Sequence, residues 1–185
     1  MESINNDLVF GASGRIGDML VFRQRGNKTY ISKRPKKREA NSVKQLAAQE
    51  RFREAAAYAK AVLDDEVKKA LYEAKASPLQ SAFNLALADY LKAPQIKSVE
   101  YATYTGQMGS TISIRANDDF KVDKVSVSIK NSSDVEIESG LAVLSSNGLD
   151  WVHTAKTLNA DVSGSTLIVG ASDIPGNLTT EEYEL

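Results

Sequence analysis

The sequence predicts an α+β chain of two modules: an N-terminal β-hairpin followed by about three helices over residues 1–94, and a C-terminal β-sandwich over residues 95–185. Three observations predict this. Residues 43–91 place apolar side chains at helical spacing among many Ala, Glu, Lys and Arg. Beyond Pro94 the pattern changes to short alternating runs punctuated by turn residues. The net charge of −1 conceals a split, with 17 Lys+Arg against 11 Asp+Glu before residue 95 and 6 against 13 after it, so +6 faces −7. A length of 185 residues, 42% hydrophobic and 25% charged, suits one large or two small folded domains.

The elements follow in order. Leu8-Val9-Phe10 is a short apolar run ending at Gly11 and reads as extended. Residues 18–24 are rich in strand formers, Gly26-Asn27 is a turn pair, and residues 29–33 resume alternation, so the two runs form a β-hairpin. Pro35 stops the second strand, and Lys36-Lys37-Arg38 is a basic linker. Ser42 with Gln45 fits a capping box and opens a helix to Leu63, with a stripe of Leu46, Phe52, Ala55, Ala56, Ala59, Val62 and Leu63. Asp64 and Asp65 cap a second helix carrying Val67, Leu71 and Tyr72. Ser77, with Pro78 at the first helical position and Gln80 three residues on, predicts a third helix with Leu79, Phe83, Leu87 and Leu91 on one stripe, ended by Pro94. Seven strands then follow, at residues 99–104, 111–115, 122–129, 135–138, 141–144, 150–155 and 166–169. That number of short strands in about 90 residues reads as a β-sandwich.

Val125-Ser126-Val127-Ser128-Ile129, Gly140-Leu141-Ala142, Trp151-Val152-His153-Thr154-Ala155 and Val169-Gly170-Ala171-Ser172-Asp173-Ile174-Pro175-Gly176-Asn177 together carry a resemblance. Residues 96–185 resemble a bacterial immunoglobulin-like domain, with His153 standing where an aromatic or other large residue is usual. The resemblance implies an immunoglobulin-like sandwich that binds or spaces rather than catalyses. Over residues 11–60, Gly11-Ala12-Ser13-Gly14-Arg15-Ile16-Gly17, Val21-Phe22-Arg23, Gly26-Asn27-Lys28-Thr29-Tyr30, Arg34-Pro35, Gln45 and Arg51-Phe52 are similar to uncharacterised phage- or prophage-associated bacterial proteins.

Chemistry is sparse. The absence of cysteine excludes disulfides, thiolate metal sites and a cysteine nucleophile, and the single histidine, His153, excludes a multi-histidine metal site. His153 and Trp151 share one strand face and read as sandwich core. Asp118, Asp119, Asp123, Asp161 and Asp173 lie near turns; they are hard oxygen ligands of the kind calcium takes, but without EF-hand spacing they read as solvated turn caps. Leu8-Val9-Phe10 followed by the glycines of residues 11–17 is similar to the nucleotide loop of extended short-chain dehydrogenases, which would make Lys36-Lys37-Arg38 a reader of the NADP 2′-phosphate. That loop needs a helix after the glycines, whereas residues 18–24 read as a strand, so the glycines are expected to serve a turn.

The most distinctive feature is the basic stretch. Arg23, Arg25, Lys28, Lys33, Arg34, Lys36, Lys37, Arg38 and Lys44 stand against one acid, Glu39, with Tyr30 interleaved. The first eight are the expected partner-binding residues; Arg15 and Arg23 are expected to contact acidic modules of neighbouring subunits. The sequence therefore reads as a non-enzymatic structural or interaction protein, phage- or prophage-derived and part of a virion or its assembly, docking on protein partners or on copies of itself. No cofactor, no metal and no membrane contact is expected. A nucleic-acid-binding accessory protein using residues 23–44 and an NADP-binding oxidoreductase are the alternatives. No apolar run reaches the roughly 18 residues of a membrane span, and Met1–Asp7, polar and acidic, reads as no secretory signal, so a cytoplasmic or virion location is expected.

Overall fold

A computed structural model describes residues 2–4, 9–34 and 42–185. Lys36, Lys37 and Arg38 lie outside the described residues. The N-terminal strands β1 (Glu2–Ile4), β2 (Gly14–Ile16), β3 (Leu20–Arg25) and β4 (Lys28–Lys33) form an antiparallel sheet in the order β1-β4-β3-β2. The hairpin turns at Gly26-Asn27, as expected, with Gly26 at φ +58°, where a two-residue turn needs a left-handed residue. Leu8 lies outside the described residues, and the rest of that run is corrected: Val9 and Phe10 lie in a turn closed by Ala12 N–H on the Val9 carbonyl (3.1 Å), because Gly11 at φ +82° reverses the chain there. The glycine segment leads into the antiparallel strand β2 and not into a helix, so it offers no helix N-terminus to a pyrophosphate.

Three helices follow. In α1 (Val43–Asp64) Ser42 and Gln45 form the reciprocal capping box that the sequence predicts. Asp65 accepts from the Val67 and Lys68 N–H groups at the start of α2 (Glu66–Lys75). The third helix is corrected. It starts four residues late, as α3 (Ala82–Tyr90), because Ser77–Gln80 closes a lone turn and the extended Ser81 supplies the cap to Asn84 N–H. Leu79 is therefore exposed, lying against Gly26 of the hairpin. The α1 stripe is buried only in its second half, at Ala55, Ala59 and Val62; Leu46 and Phe52 are exposed.

The remaining chain forms a β-sandwich of two antiparallel four-stranded sheets. One has the order β5 (Gln95–Glu100), β6 (Thr111–Asn117), β10 (Asp150–Thr154), β9 (Val143–Leu144); the other β12 (Leu178–Glu184), β11 (Thr166–Asp173), β7 (Val122–Lys130), β8 (Glu136–Leu141). Inward-facing Ile112, Ile114, Val125, Val127, Ile129, Leu167 and Val169 fill the space between them. Residues 101–104 are corrected from strand to turn, with Tyr104 N–H on the Tyr101 carbonyl, and β12 is an additional strand.

The helical core is closed by the sandwich. Phe120, from the β6–β7 turn, joins Ala59, Val62, Tyr72, Ala82 and Ala86, and its ring stacks on Tyr72 at 4.3 Å between centroids. Lys75 reaches the Phe120 carbonyl and Lys92 pairs with Asp119. Asn177 Nδ2, in the β11–β12 turn, lies 3.1 Å from the Tyr90 carbonyl, 3.3 Å from that of Lys92 and 2.7 Å from Asp173 Oδ2. Thr179 Oγ1 donates to the Pro94 carbonyl at 2.6 Å.

Candidate functional site

Strand alternation sorts the basic residues of the N-terminal sheet. The register sets Arg23 opposite Tyr30 and Arg25 opposite Lys28, so these four share one face. Arg15 of β2 pairs with Val21 and joins the same face, diagonal to Arg23. The other face carries Phe22 and Thr29, both buried, with Gln24 donating to Thr29 at 3.5 Å. Lys33 alternates onto that second face, opposite Leu20. Arg34, just beyond β4, pairs with Asp18. The expected partner-binding set is thus divided: Arg23, Arg25 and Lys28 come together with Arg15 around the half-buried Tyr30, while Lys33 and Arg34 stand apart.

This face has an energetic peculiarity. Arg25 and Lys28 are like charges directly opposite one another across the hairpin, a pairing that destabilises a sheet. Among the described residues no acidic side chain pairs with Arg15, Arg23, Arg25 or Lys28, whereas Arg34, Arg53, Lys68, Lys92, Arg115, Lys124 and Lys130 all have carboxylate partners. An exposed cationic face around an aromatic ring is chemically suited to an anion, with guanidinium groups for carboxylate or phosphate and a ring face for stacking.

His153 is sealed in the sandwich at 2% exposure, its Nε2 3.2 Å from Glu138 Oε1. Glu138 also accepts from the Lys156 and Thr157 N–H groups. Trp151 packs part-buried on the same core. The turn aspartates behave differently from one another. Asp119, Asp123 and Asp161 are exposed. Asp118 and Asp173 do cap turns, Asp118 Oδ2 accepting from Phe120 and Lys121 N–H and Asp173 Oδ1 from Gly176 and Asn177 N–H. Asp173 is nevertheless buried, which corrects its reading as a solvated cap, because Asn177 draws it under the end of α3.

A third carboxylate, Asp89 of α3, meets these two, and sequence reasoning missed it. One oxygen from each of Asp89, Asp118 and Asp173 lies within 4.8 Å of the others. Asp89 is 2% exposed; its Oδ2 accepts from Tyr72 Oη at 2.5 Å and its Oδ1 has no partner. Burial pushes Asp89 up to about 7, with the Asp118 and Asp173 charges adding to the rise against the Tyr72 hydrogen bond. Burial also raises Asp173, and it raises Tyr58 and Tyr72, whose hydroxyls lie 3.1 Å apart.

No family model and no curated protein matches the chain. Among solved structures, the chain is similar to the crystal structure of CopC from Methylosinus trichosporium OB3b, at 15% identity and a TM-score of 0.36, over 49% of this chain and 89% of that one. No helix among the described residues is long and apolar enough to cross a membrane.

Proposed function

We propose that the chain is a non-enzymatic interaction protein that docks through the basic face of its N-terminal sheet on an anionic protein surface and presents an immunoglobulin-like sandwich. The carrying observation is the convergence of Arg15, Arg23, Arg25 and Lys28 on one face, at a cost to the hairpin. The immunoglobulin-like reading is supported by strand order: β5-β6-β10-β9 facing β12-β11-β7-β8 follows the A-B-E-D and G-F-C-C′ arrangement of that fold. The setting we propose is a phage- or prophage-derived assembly, as the resemblance of residues 11–60 implies. Tyr30, opposite Arg23, favours one second reading, a nucleic-acid surface in which the ring stacks on a base.

The full chain and its Arg23→Glu/Arg25→Glu/Lys28→Glu variant should be titrated with polyglutamate and with fluorescent duplex DNA at about 50 and 200 mM salt. Polyglutamate binding that the variant loses supports docking on an acidic protein. DNA binding that exceeds it and falls steeply with salt transfers the face to nucleic acid. Equal behaviour of variant and wild type refutes both.

A further inference from the structure

We propose that Asp89, Asp118 and Asp173 hold a hard divalent cation of the calcium class at the junction between the helices and the sandwich. Oxygens within 4.8 Å of one another fit around a single ion at a metal–oxygen distance of about 2.4 Å. The donor set is oxygen only, which selects calcium or magnesium over zinc and copper. The independent mark of a missing ligand is Asp89 Oδ1, a buried acceptor with no hydrogen-bond partner on a side chain only 2% exposed. Asp118 Oδ2 and both Asp173 oxygens already accept hydrogen bonds, so those carboxylates are held in place before any ion arrives. The junction lysines do not neutralise the cluster, since Lys75 serves the Phe120 carbonyl and Lys92 serves Asp119. Three carboxylates in this space demand a proton or a cation, and an ion satisfies the orphaned oxygen as well. Asp118 is only partly buried and gives the ion its route from solvent.

Terbium is the probe. Tyr72, hydrogen-bonded to Asp89, stands close enough to sensitise its emission on tyrosine excitation. The full chain should give saturable terbium luminescence that calcium displaces, weakened at least tenfold in Asp118→Asn. Wild-type chain should also melt at higher temperature in about 10 mM calcium than in chelator, since an ion bound only by the folded state stabilises it. Absence of that rise in the wild type overturns the site whether or not the variant folds. Terbium emission unchanged in a folded Asp118→Asn chain overturns it too.

Discussion

Asp89 makes the stability of the metal-free protein fall with rising pH, and Asp89→Asn should abolish that share of the fall. Asp89 is raised in the folded state from an ordinary value of 3.8 to about 7. Between those values the folded chain holds a proton that the unfolded chain has released. Stability is therefore fully present below about pH 4, declines as pH rises, and levels off above about 7. The slope is about 1.4 kcal/mol per pH unit for one proton, so the two units from pH 5 to 7 amount to about 2.5 kcal/mol. Asp89→Asn keeps an acceptor for the Tyr72 hydroxyl and removes the ionisation. Urea denaturation in chelator at pH 5 and pH 8 measures the effect. Wild type should lose about 2.5 kcal/mol more than the variant across that interval. Asp173, raised as well, leaves a residual decline in both chains. Parallel pH dependence in the two proteins would refute the reasoning, because Asp89 would then be ionised in the fold at no cost.

Two other substitutions probe what holds the molecule together. Asn177→Ala removes the amide that serves the Tyr90 and Lys92 carbonyls and Asp173 Oδ2, and should cost about 2–3 kcal/mol, with faster amide exchange at the end of α3 as its local signature; unchanged exchange there contradicts it. Glu138→Ala strands His153 inside the sandwich, takes the acceptor from the part-buried Lys156 and Thr157 N–H groups, and should cost about 3 kcal/mol in denaturant; a loss under about 1 kcal/mol means water replaces the carboxylate.

Local signals were strong where the chain decides its structure locally. Gly26-Asn27 between alternating runs sets the hairpin, and Ser42 with Gln45 and Asp65 set two helix starts. The failures come from competition and distance. Two serines, Ser77 and Ser81, offer caps four residues apart, and Pro78 favours the wrong one. β12 reads Leu-Thr-Thr-Glu-Glu-Tyr-Glu, an edge strand with only a half-buried face, so its pattern is too polar to announce a strand. The basic stretch was legible as composition, but its division between two faces depends on register. Asp89 carries no local signal in the sequence. It meets Asp118 and Asp173, from turns far along the chain, which no window of sequence brings beside it.

The Asn177 amide has a consequence for the order in which the chain becomes a protein. It ties the end of α3 to a residue 87 positions later, and Phe120 closes the helical core from 48 residues beyond Tyr72. During synthesis at about 5–20 residues per second, the helices leave the ribosome on the order of ten seconds before the turn that finishes them. For that interval α1–α3 hold an unsealed apolar face and untethered carbonyls. The helices and the sandwich that the sequence separates at Pro94 thus share contacts that can form only after the last hairpin has been made.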